Sequence, residues 1–440
     1  MSFKSHLEIL KSLPRSPFAV PVDLDTTGLS GVINHLLNFD KETRFDFVVV
    51  EDGVLLSGCL REHLQSRGRS TEKIVTLECV EKQKLPPSRD VSEHPDWVSA
   101  LCGSEGIVAT GCYDGAMRLY DTSDGKLLAV GAAHSEPVKG VAFLSNNSKG
   151  KADCQMLASV SKDSTAVVWR FQDSQLTSVG LCVGHDNSVE TIAARPRCDN
   201  GVVQFATGGW DRTVRLWSWP LATSSSTEET LANEEAATLD IRHAKKRRVA
   251  SKSSESMDTP NSNVATADGV AKIESSESLM GHSGCITSMG WVGDDKLCTG
   301  SWDRSLRVWD MNAGVCESTV SCKRVISNLA VQPNESAVCT VHPDGKARLW
   351  DLRISEGESI VAAKTFSGHK GWVSSVSWVD ERTFVTSGYD GSVVLWDVRG
   401  DTPIDQMSGA HKGKALCALA IDKKLVSGGS DGTLRWFEQR

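Results

Sequence analysis

The sequence predicts an all-β propeller of seven blades, preceded by a smaller α+β domain. Three observations carry this. First, an Asp followed six residues later by an aromatic recurs along the chain. The pairs are Asp114 and Tyr120, Asp163 and Trp169, Asp211 and Trp217, Asp303 and Trp309, Asp344 and Trp350, Asp390 and Trp396, and Asp431 and Phe437. Second, a hydroxyl stands four residues before each Asp: Thr110, Ser159, Thr207, Thr299, Thr340, Thr386 and Ser427. Third, six copies carry an upstream His: His94, His134, His185, His282, His369 and His411. In the fifth copy Lys323 takes that place, within CKR. The Asp positions step by 49, 48, 92, 41, 46 and 41 residues. Apart from the 92, these lie near the period of about 40–45 residues that one four-stranded blade needs.

The local pattern explains each unit. RSLRVW and RTVRLW alternate apolar and polar residues, as a half-buried strand does. DG, DR and DS open a tight turn before these runs, because Asp bonds its own backbone and tolerates turn geometry. LCTG, FATGG and FVTSG are short apolar runs ending in Gly. A blade therefore reads as four antiparallel strands with Asp at the corner between the second and third. Such a blade cannot bury both faces alone, and stacking blades around an axis solves this.

Ser/Thr, His and Asp in each copy resemble a hydrolase triad. A real triad occurs once and needs an oxyanion hole. A set that recurs with every blade reads instead as a buried network in which Asp, His, hydroxyl and Trp satisfy one another. The GH…D…WD spacing over residues 94–440 resembles the WD40 β-propeller family. Two copies depart from it: the fifth lacks His, and the seventh ends RWFEQR, one strand short of a complete blade. Residues 85–93 serve as linker and possible closing strand, shortened by two prolines.

Composition sets the outer bounds. At 440 residues the chain exceeds one ordinary core. A net charge of −8 argues against a surface that is nucleic-acid-binding throughout. There is no apolar run of membrane-spanning length and no apolar core of a secretory signal at MSFKSHLEIL. Thirteen scattered Cys without CxxC pairs argue for a reducing compartment, not for zinc.

Residues 219–278 produce the long step. They are Ser/Thr-rich, acidic and poor in aromatics, which predicts a disordered insert after the third blade. Within it Lys245, Lys246, Arg247 and Arg248 stand in a row. They read either as a solvated charge cluster or as a nuclear-import signal exposed on a flexible loop.

Residues 1–84 carry no GH or WD. HLEIL and SPFAV flank a turn and could pair as a hairpin. Leu29, Val32, Ile33, Leu36 and Leu37 follow helical spacing. FDFVVV and VLL flank an EDG turn, CLREHLQSRG is a short helix stopped by Gly68, and KIVTLECVE alternates as a strand. The order ββαββ, short helix, β is that of a ubiquitin-like roll. It carries no diglycine, so it does not read as a conjugated modifier.

A ubiquitin-like domain, a Pro-containing joint, seven WD blades and an insert after the third closely resemble the Ytm-type family of ribosome-biogenesis WD-repeat proteins. These act in the pescadillo–Block-of-proliferation (PeBoW) complex. GLSGVINHLLN, FDFVVVEDG, LECVEK and HPDWVSAL look like that family's segments. The Notchless-type factor shares the domain order, but its propeller resembles an eight-bladed one.

The resemblance implies specific partners. The family's ubiquitin-like domain binds the metal-ion-dependent adhesion site of the AAA+ ATPase midasin, where a loop Glu completes the coordination of the cation. Glu72, in RGRSTEKIV, stands at the matching place. Mg²⁺ demands oxygen ligands and leaves a position for a partner's carboxylate. By residues alone Glu72 is one surface acid among many, like Glu78 or Glu81. No cofactor of its own is implied, only Mg²⁺ shared in trans with midasin. The propeller is expected to dock on the Block-of-proliferation protein, with pescadillo joining through it, in a pre-60S particle.

Residues at the corner turns are candidates for that docking. Tyr113, Trp210, Trp302 and Tyr389 precede the corner Asp, and Arg212 and Arg304 follow it. Aromatics and Arg are frequent interface anchors. The same rings could equally pack over neighbouring turns. Trp97 and Trp372 could extend this face. The resulting expectation is a non-enzymatic assembly factor for the large ribosomal subunit, needed for rRNA processing. It would reside in the nucleus, nucleolus and nucleoplasm, with direct RNA contact left open. The rival is a substrate receptor of a cullin-RING ubiquitin ligase, suggested by WDLR at 350–353 and WDVR at 396–399.

Overall fold

The computed structural model describes residues 2–4, 19–39, 43–70, 73–82, 85, 88–104, 106–144, 154–197, 201–220, 270–353, 362–421 and 424–438. Among them no helix is long and apolar enough to cross a membrane.

The N-terminal domain is a mixed sheet closed by one long helix. β1 (Ser2–Lys4) runs parallel to β4 (Thr76–Glu81). β4 pairs antiparallel with β2 (Phe45–Val49), and β2 with the short β3 (Val54–Leu55). This order, β1-β4-β2-β3, fits a ubiquitin-like roll. The expected first hairpin lies outside the described residues, except for Ala19 and Val20, which are not in a strand.

The helix α1 (Thr26–Leu37) starts where the Asp25 carboxylate accepts the Gly28 N–H, the usual N-cap bond. It stops at Asn38, which turns left-handed at φ 50. Leu29 and Ile33 are fully buried against Phe47, Leu77 and Leu64 of the short helix α2 (Leu60–Ser66). Leu36 departs from the expected apolar face and is exposed. Ser30 takes its share of the buried face, its Oγ accepting the Phe45 N–H at 3.0 Å and so tying helix to sheet.

Among the described residues, seven further sheets follow. Blade 1 spans 98–132, blade 2 138–183, blade 3 189–280, blade 4 286–321, blade 5 328–367, blade 6 373–407 and blade 7 415–438. The first strand of each blade packs on the first strand of the next, and that of blade 7 on that of blade 1, so the ring closes. Blade 7 borrows its fourth strand. β5 (Ser88–Glu93), directly after the two prolines, pairs antiparallel with Thr433–Glu438.

Apolar clusters fill the gaps between blades. Phe366, Val376, Phe384 and Trp396 make one of these between blades 5 and 6. Inner-strand hydroxyls stitch neighbours together: Thr287 donates to the Ile326 carbonyl at 2.8 Å, and Ser374 to that of Ala415 at 2.6 Å. Each such bond satisfies a carbonyl on, or just before, the neighbouring blade's first strand.

The expected insert is narrower than 219–278. Trp219 and Pro220 complete the third strand of blade 3, Thr213–Pro220. Ala271–Ile273 adds a fifth, parallel strand to blade 2, and Glu277–Met280 forms the outer strand of blade 3. Composition concealed this because three- and four-residue strands need little apolar content. Ile273 supplies what there is, packing among the apolar residues of blades 2 and 3. The basic run at 245–248 lies outside the described residues.

The N-terminal domain rests on blade 6. The Leu55 N–H donates to the Arg399 carbonyl at 3.2 Å. Glu78 lies 3.9 Å from both Arg399 and Arg382.

Candidate functional site

The repeated polar residues meet at each blade corner. In blade 4 the Trp309 Nε1–H donates to Thr299 Oγ1 at 2.8 Å. Thr299 Oγ1 lies 2.8 Å from His282 Nε2, and His282 Nδ1 lies 2.8 Å from Asp303. An indole can only donate. The ionised Asp303 can only accept, so the neutral imidazole carries its proton on Nδ1 toward it, and the bare Nε2 accepts from the Thr299 hydroxyl. The other bonds to the Asp303 carboxylate come from the Ser283 and Ser305 N–H groups and from the Ser305 hydroxyl at 2.6 Å, which together hold the turn. Blades 2, 3 and 6 repeat the arrangement with Ser159, Thr207 and Thr386 as the hydroxyl.

This geometry disposes of the triad reading. Thr207, Thr299 and Thr386 are fully buried, and each is capped by a Trp N–H. No substrate carbonyl can reach them. Electrostatics agree. Burial opposes the charge on Asp303, but hydrogen bonds from Ser305 and His282 outweigh it and hold the carboxyl at about 2. Burial pushes His282 and His369 below the ordinary imidazole value, against the pull of Asp303 and Asp390. The stable state is neutral His on ionised Asp.

Three blades depart from the scheme, each for a visible reason. In blade 1 Asp114 turns to Arg118, whose Nη1 donates at 3.2 Å, and Tyr120 OH replaces the indole at 3.3 Å from His94. In blade 7 Phe437 has no N–H to give, so Ser427 meets only His411, at 2.7 Å. In blade 5 the imidazole comes from elsewhere. His342, two residues after Thr340, lies 2.8 Å from its hydroxyl, and Trp350 donates to the same oxygen at 2.7 Å. The fifth copy thus has its histidine. Lys323 is an exposed turn residue with φ 58.

The corner turns converge around a cavity of about 680 Å³ at the mouth of the ring. Tyr113, Trp210, Trp302 and Tyr389 all line it, and so does Trp372. They meet in pairs, one across blades 3 and 4 and two within single blades. Trp210 and Trp302 meet edge to face at 4.9 Å, Trp97 and Tyr113 at 5.2 Å, and Trp372 stacks on Tyr389 at 5.6 Å. Cations fill the gaps. Lys414 stands 4.3 Å over Tyr389 and 5.9 Å from Trp97. Lys139 donates to Tyr113 OH at 2.9 Å and lies 3.8 Å from Glu190, which accepts the Trp210 N–H at 2.9 Å. The result is an arc over blades 6, 7, 1, 2, 3 and 4. The rings pack on neighbours, as one of the two readings has it, and Trp97, Trp210, Trp302, Trp372 and Tyr389 remain about two-fifths exposed. Lys139, Lys414 and Glu190 were missed in the sequence, because they lie on or next to inner strands and not in the repeated corner.

Arg212 and Arg304 sit just outside the cavity lining. Both are exposed and both adopt positive φ, at 66° and 69°, in the turn after the Asp. Glu72 lies outside the described residues. The two Arg of the WDxR pattern part company. Arg353 is exposed and pairs with Asp351 at 2.6 Å. Arg399 is 16% exposed, gripped by Asp397 and turned toward Glu78. An adaptor reading the pattern would find only the first, and the cullin-receptor alternative is not supported.

A stitched ring with sealed hydroxyls and an aromatic mouth defines a scaffold of the WD-repeat class. The WD domain, G-beta repeat matches residues 125–170, 176–218, 274–310 and 361–397. The NLE (NUC135) domain matches residues 1–64. Among similar proteins is a "Ribosome biogenesis protein WDR12 homolog" of Culex quinquefasciatus, 30% identical over 438 residues, covering 98% of this chain and 93% of the relative. A protein of the same description from Chlamydomonas reinhardtii is 29% identical over 467 residues, covering 100% and 97%. The chain belongs to this family of WD-repeat ribosome biogenesis proteins.

Two predictions follow from the corners. Asp303→Ala strands the His282 and Ser283 donors and should cost about 1–3 kcal/mol. Asp344→Ala loses chiefly a partly exposed pair with Arg348 and should cost roughly 1 kcal/mol or less. Urea midpoints of the two variants check the order. The second concerns acid. Burial lowers both His94 and His342 from 6.5 to about 4. The unfolded chain then takes up protons at a pH where the folded chain does not. Stability is full above 6.5 and falls as pH drops toward 4, by up to about 1.4 kcal/mol per pH unit per histidine. Replacing both by Gln should flatten urea midpoint against pH in that window, and an unchanged slope would refute the assignment.

Proposed function

We propose that this protein is a non-enzymatic assembly factor for the large ribosomal subunit, needed for rRNA processing and pre-60S maturation. The observation that carries this reading is the near-full-length likeness to ribosome biogenesis relatives, spanning ring and N-terminal domain together. The aromatic arc supports docking of a partner protein, the Block-of-proliferation subunit with pescadillo beyond it. Exposed rings that are already immobilised lose little entropy on binding. Tyr113, Trp210, Trp302 and Tyr389 are the anchors, with Arg212 and Arg304 at the rim. The site of action is the nucleolus and nucleoplasm, reached through the basic run Lys245, Lys246, Arg247 and Arg248.

Removal from the particle is assigned to midasin, with Glu72 as the carboxylate ligand to its Mg²⁺. The test is direct. Glu72→Gln keeps size and removes charge, and should weaken binding to the midasin adhesion domain in magnesium roughly 10- to 100-fold, as loss of about 1.5–3 kcal/mol gives. Pull-down of pre-60S factors by the propeller should persist. Wild-type affinity in that variant would end the Glu72 assignment. For the import run, changing all four residues to Ala should leave the melting curve intact and move the protein to the cytoplasm. Continued nuclear accumulation would refute that role.

A further inference from the structure

Chain order places the closing strand in an exposed mechanical position. β4 ends at Glu81 and β5 begins at Ser88. The six residues between, fully stretched, reach about 20 Å. Whatever pulls the N-terminal domain away therefore pulls on β5 almost at once. β5 is the outermost strand of blade 7, with Ser88 opposite Phe437 and Glu93 opposite Thr433. Tension from the Ser88 end opens that ladder pair by pair. Its loss leaves blade 7 with three strands and an unpaired edge.

Among the described residues, hydrogen bonds and ion pairs to blade 6 tie the N-terminal domain down before the tension reaches β5. The edge strand β3 gives its Leu55 N–H to the Arg399 carbonyl at 3.2 Å. A Leu55 methyl carbon lies 3.4 Å from where a Cβ would stand on Gly400. The Glu78 carboxylate of β4 lies between Arg399 and Arg382, 3.9 Å from each. Within the linker itself, the Leu85 N–H donates to the Asp405 carboxylate at 2.7 Å, and its side chain packs against the apolar cluster of blades 6 and 7. Arg399 cannot swing away, because Asp397, 3% exposed, accepts from its Nε at 3.0 Å and its Nη2 at 2.7 Å.

We propose that this contact is a clamp that shields the closing strand of blade 7 from traction on the N-terminal domain and diverts the load into blade 6. Blade 6 can take it. Its Ser374 hydroxyl is bonded to blade 7 and its Trp378 N–H to the Ala330 carbonyl of blade 5 at 3.1 Å. A load entering there spreads across two blade interfaces in place of peeling one outer strand. The need for a shield rests on the reading that an ATPase pulls this domain. The clamp itself can be measured without one.

The full chain is held in optical tweezers by its two termini, and β5 is followed separately by hydrogen exchange. Wild type should release the N-terminal domain and β5 in one high-force event. Glu78→Arg with Asp405→Ala should split this into two events at lower force. Exchange of the β5 amides should rise about tenfold, the factor that a loss of 1.4 kcal/mol gives. Exchange in the inner strands of blades 2 to 4 should not change. Arg382→Glu alone, at a half-exposed residue outside the blade cores, should act in the same direction to a smaller degree. If β5 exchange and rupture force match wild type in both variants, the clamp is refuted. A failure of Glu72 to bind midasin would leave these results untouched.

Discussion

A buried indole N–H that must find an acceptor governs this fold. Each blade that buries a Trp at its corner buries a donor with it. Leaving such a donor unmade costs more than making the bond gains. The nearest hydroxyl accepts it and keeps its own proton to give to an imidazole. The imidazole must then give its Nδ1 proton to a carboxylate. That carboxylate is the corner Asp, which also takes backbone N–H groups from its own turn and from the strand entry before it. One apolar side chain thus sets the second turn, the entry loop and the strand between them. Low dielectric inside the blade strengthens every link, so the chain of bonds stands or falls together.

The exceptions show what the constraint permits. Blade 5 keeps the indole, and it keeps an imidazole although the entry loop supplies none. His342 lies one residue past the end of the strand that holds Thr340, and its Nδ1 finds the Val325 carbonyl at 2.8 Å in place of a carboxylate. That frees Asp344 for Arg348. In blade 7 the aromatic gives up its N–H, and the imidazole–carboxylate half survives alone, with Burial opposing and Thr433 and His411 together holding Asp431 at about 2. The network is therefore a set of satisfied valences and not a fixed roster. This is why its members look catalytic and are not.

Much of this was legible because it is local. The spacing of Asp, hydroxyl and aromatic is fixed by one hairpin, and a hairpin is written in consecutive residues. Lys323 holds the sequence position of the missing histidine, whereas the physical requirement is an imidazole within reach of the Thr340 hydroxyl, which His342 meets. VHPD at 341–344 carried the signal in plain view. The aromatic rings of the mouth were readable for the same local reason. Lys139, Lys414 and Glu190 were not, since their place depends on which blades become neighbours. The place of Arg399 was not legible, because nothing in WDVR tells of Glu78, more than three hundred residues earlier. The short strand Ala271–Ile273 hid in a polar stretch for want of apolar residues to announce it.

Topology also separates the two working surfaces. The third strand of blade 6, Val393–Asp397, begins beside the corner Asp390 and ends at the turn that meets the N-terminal domain. Its five residues, at about 3.3 Å each, put the two turns at opposite ends of the blade. Tyr389 belongs to the first end and Arg399 to the second. Arg382, between the first and second strands, and Asp405, opening the fourth, lie with Arg399 by the same antiparallel logic. A partner seated on the aromatic mouth therefore need not displace the N-terminal domain, and a pull on that domain enters the ring from the far side. Rupture of a partner contact at the mouth must then be transmitted through the blades themselves. The buried donor–acceptor chains at the corners of blades 2, 3, 4 and 6, with the inner-strand bonds between neighbours, are what would carry that strain around the ring.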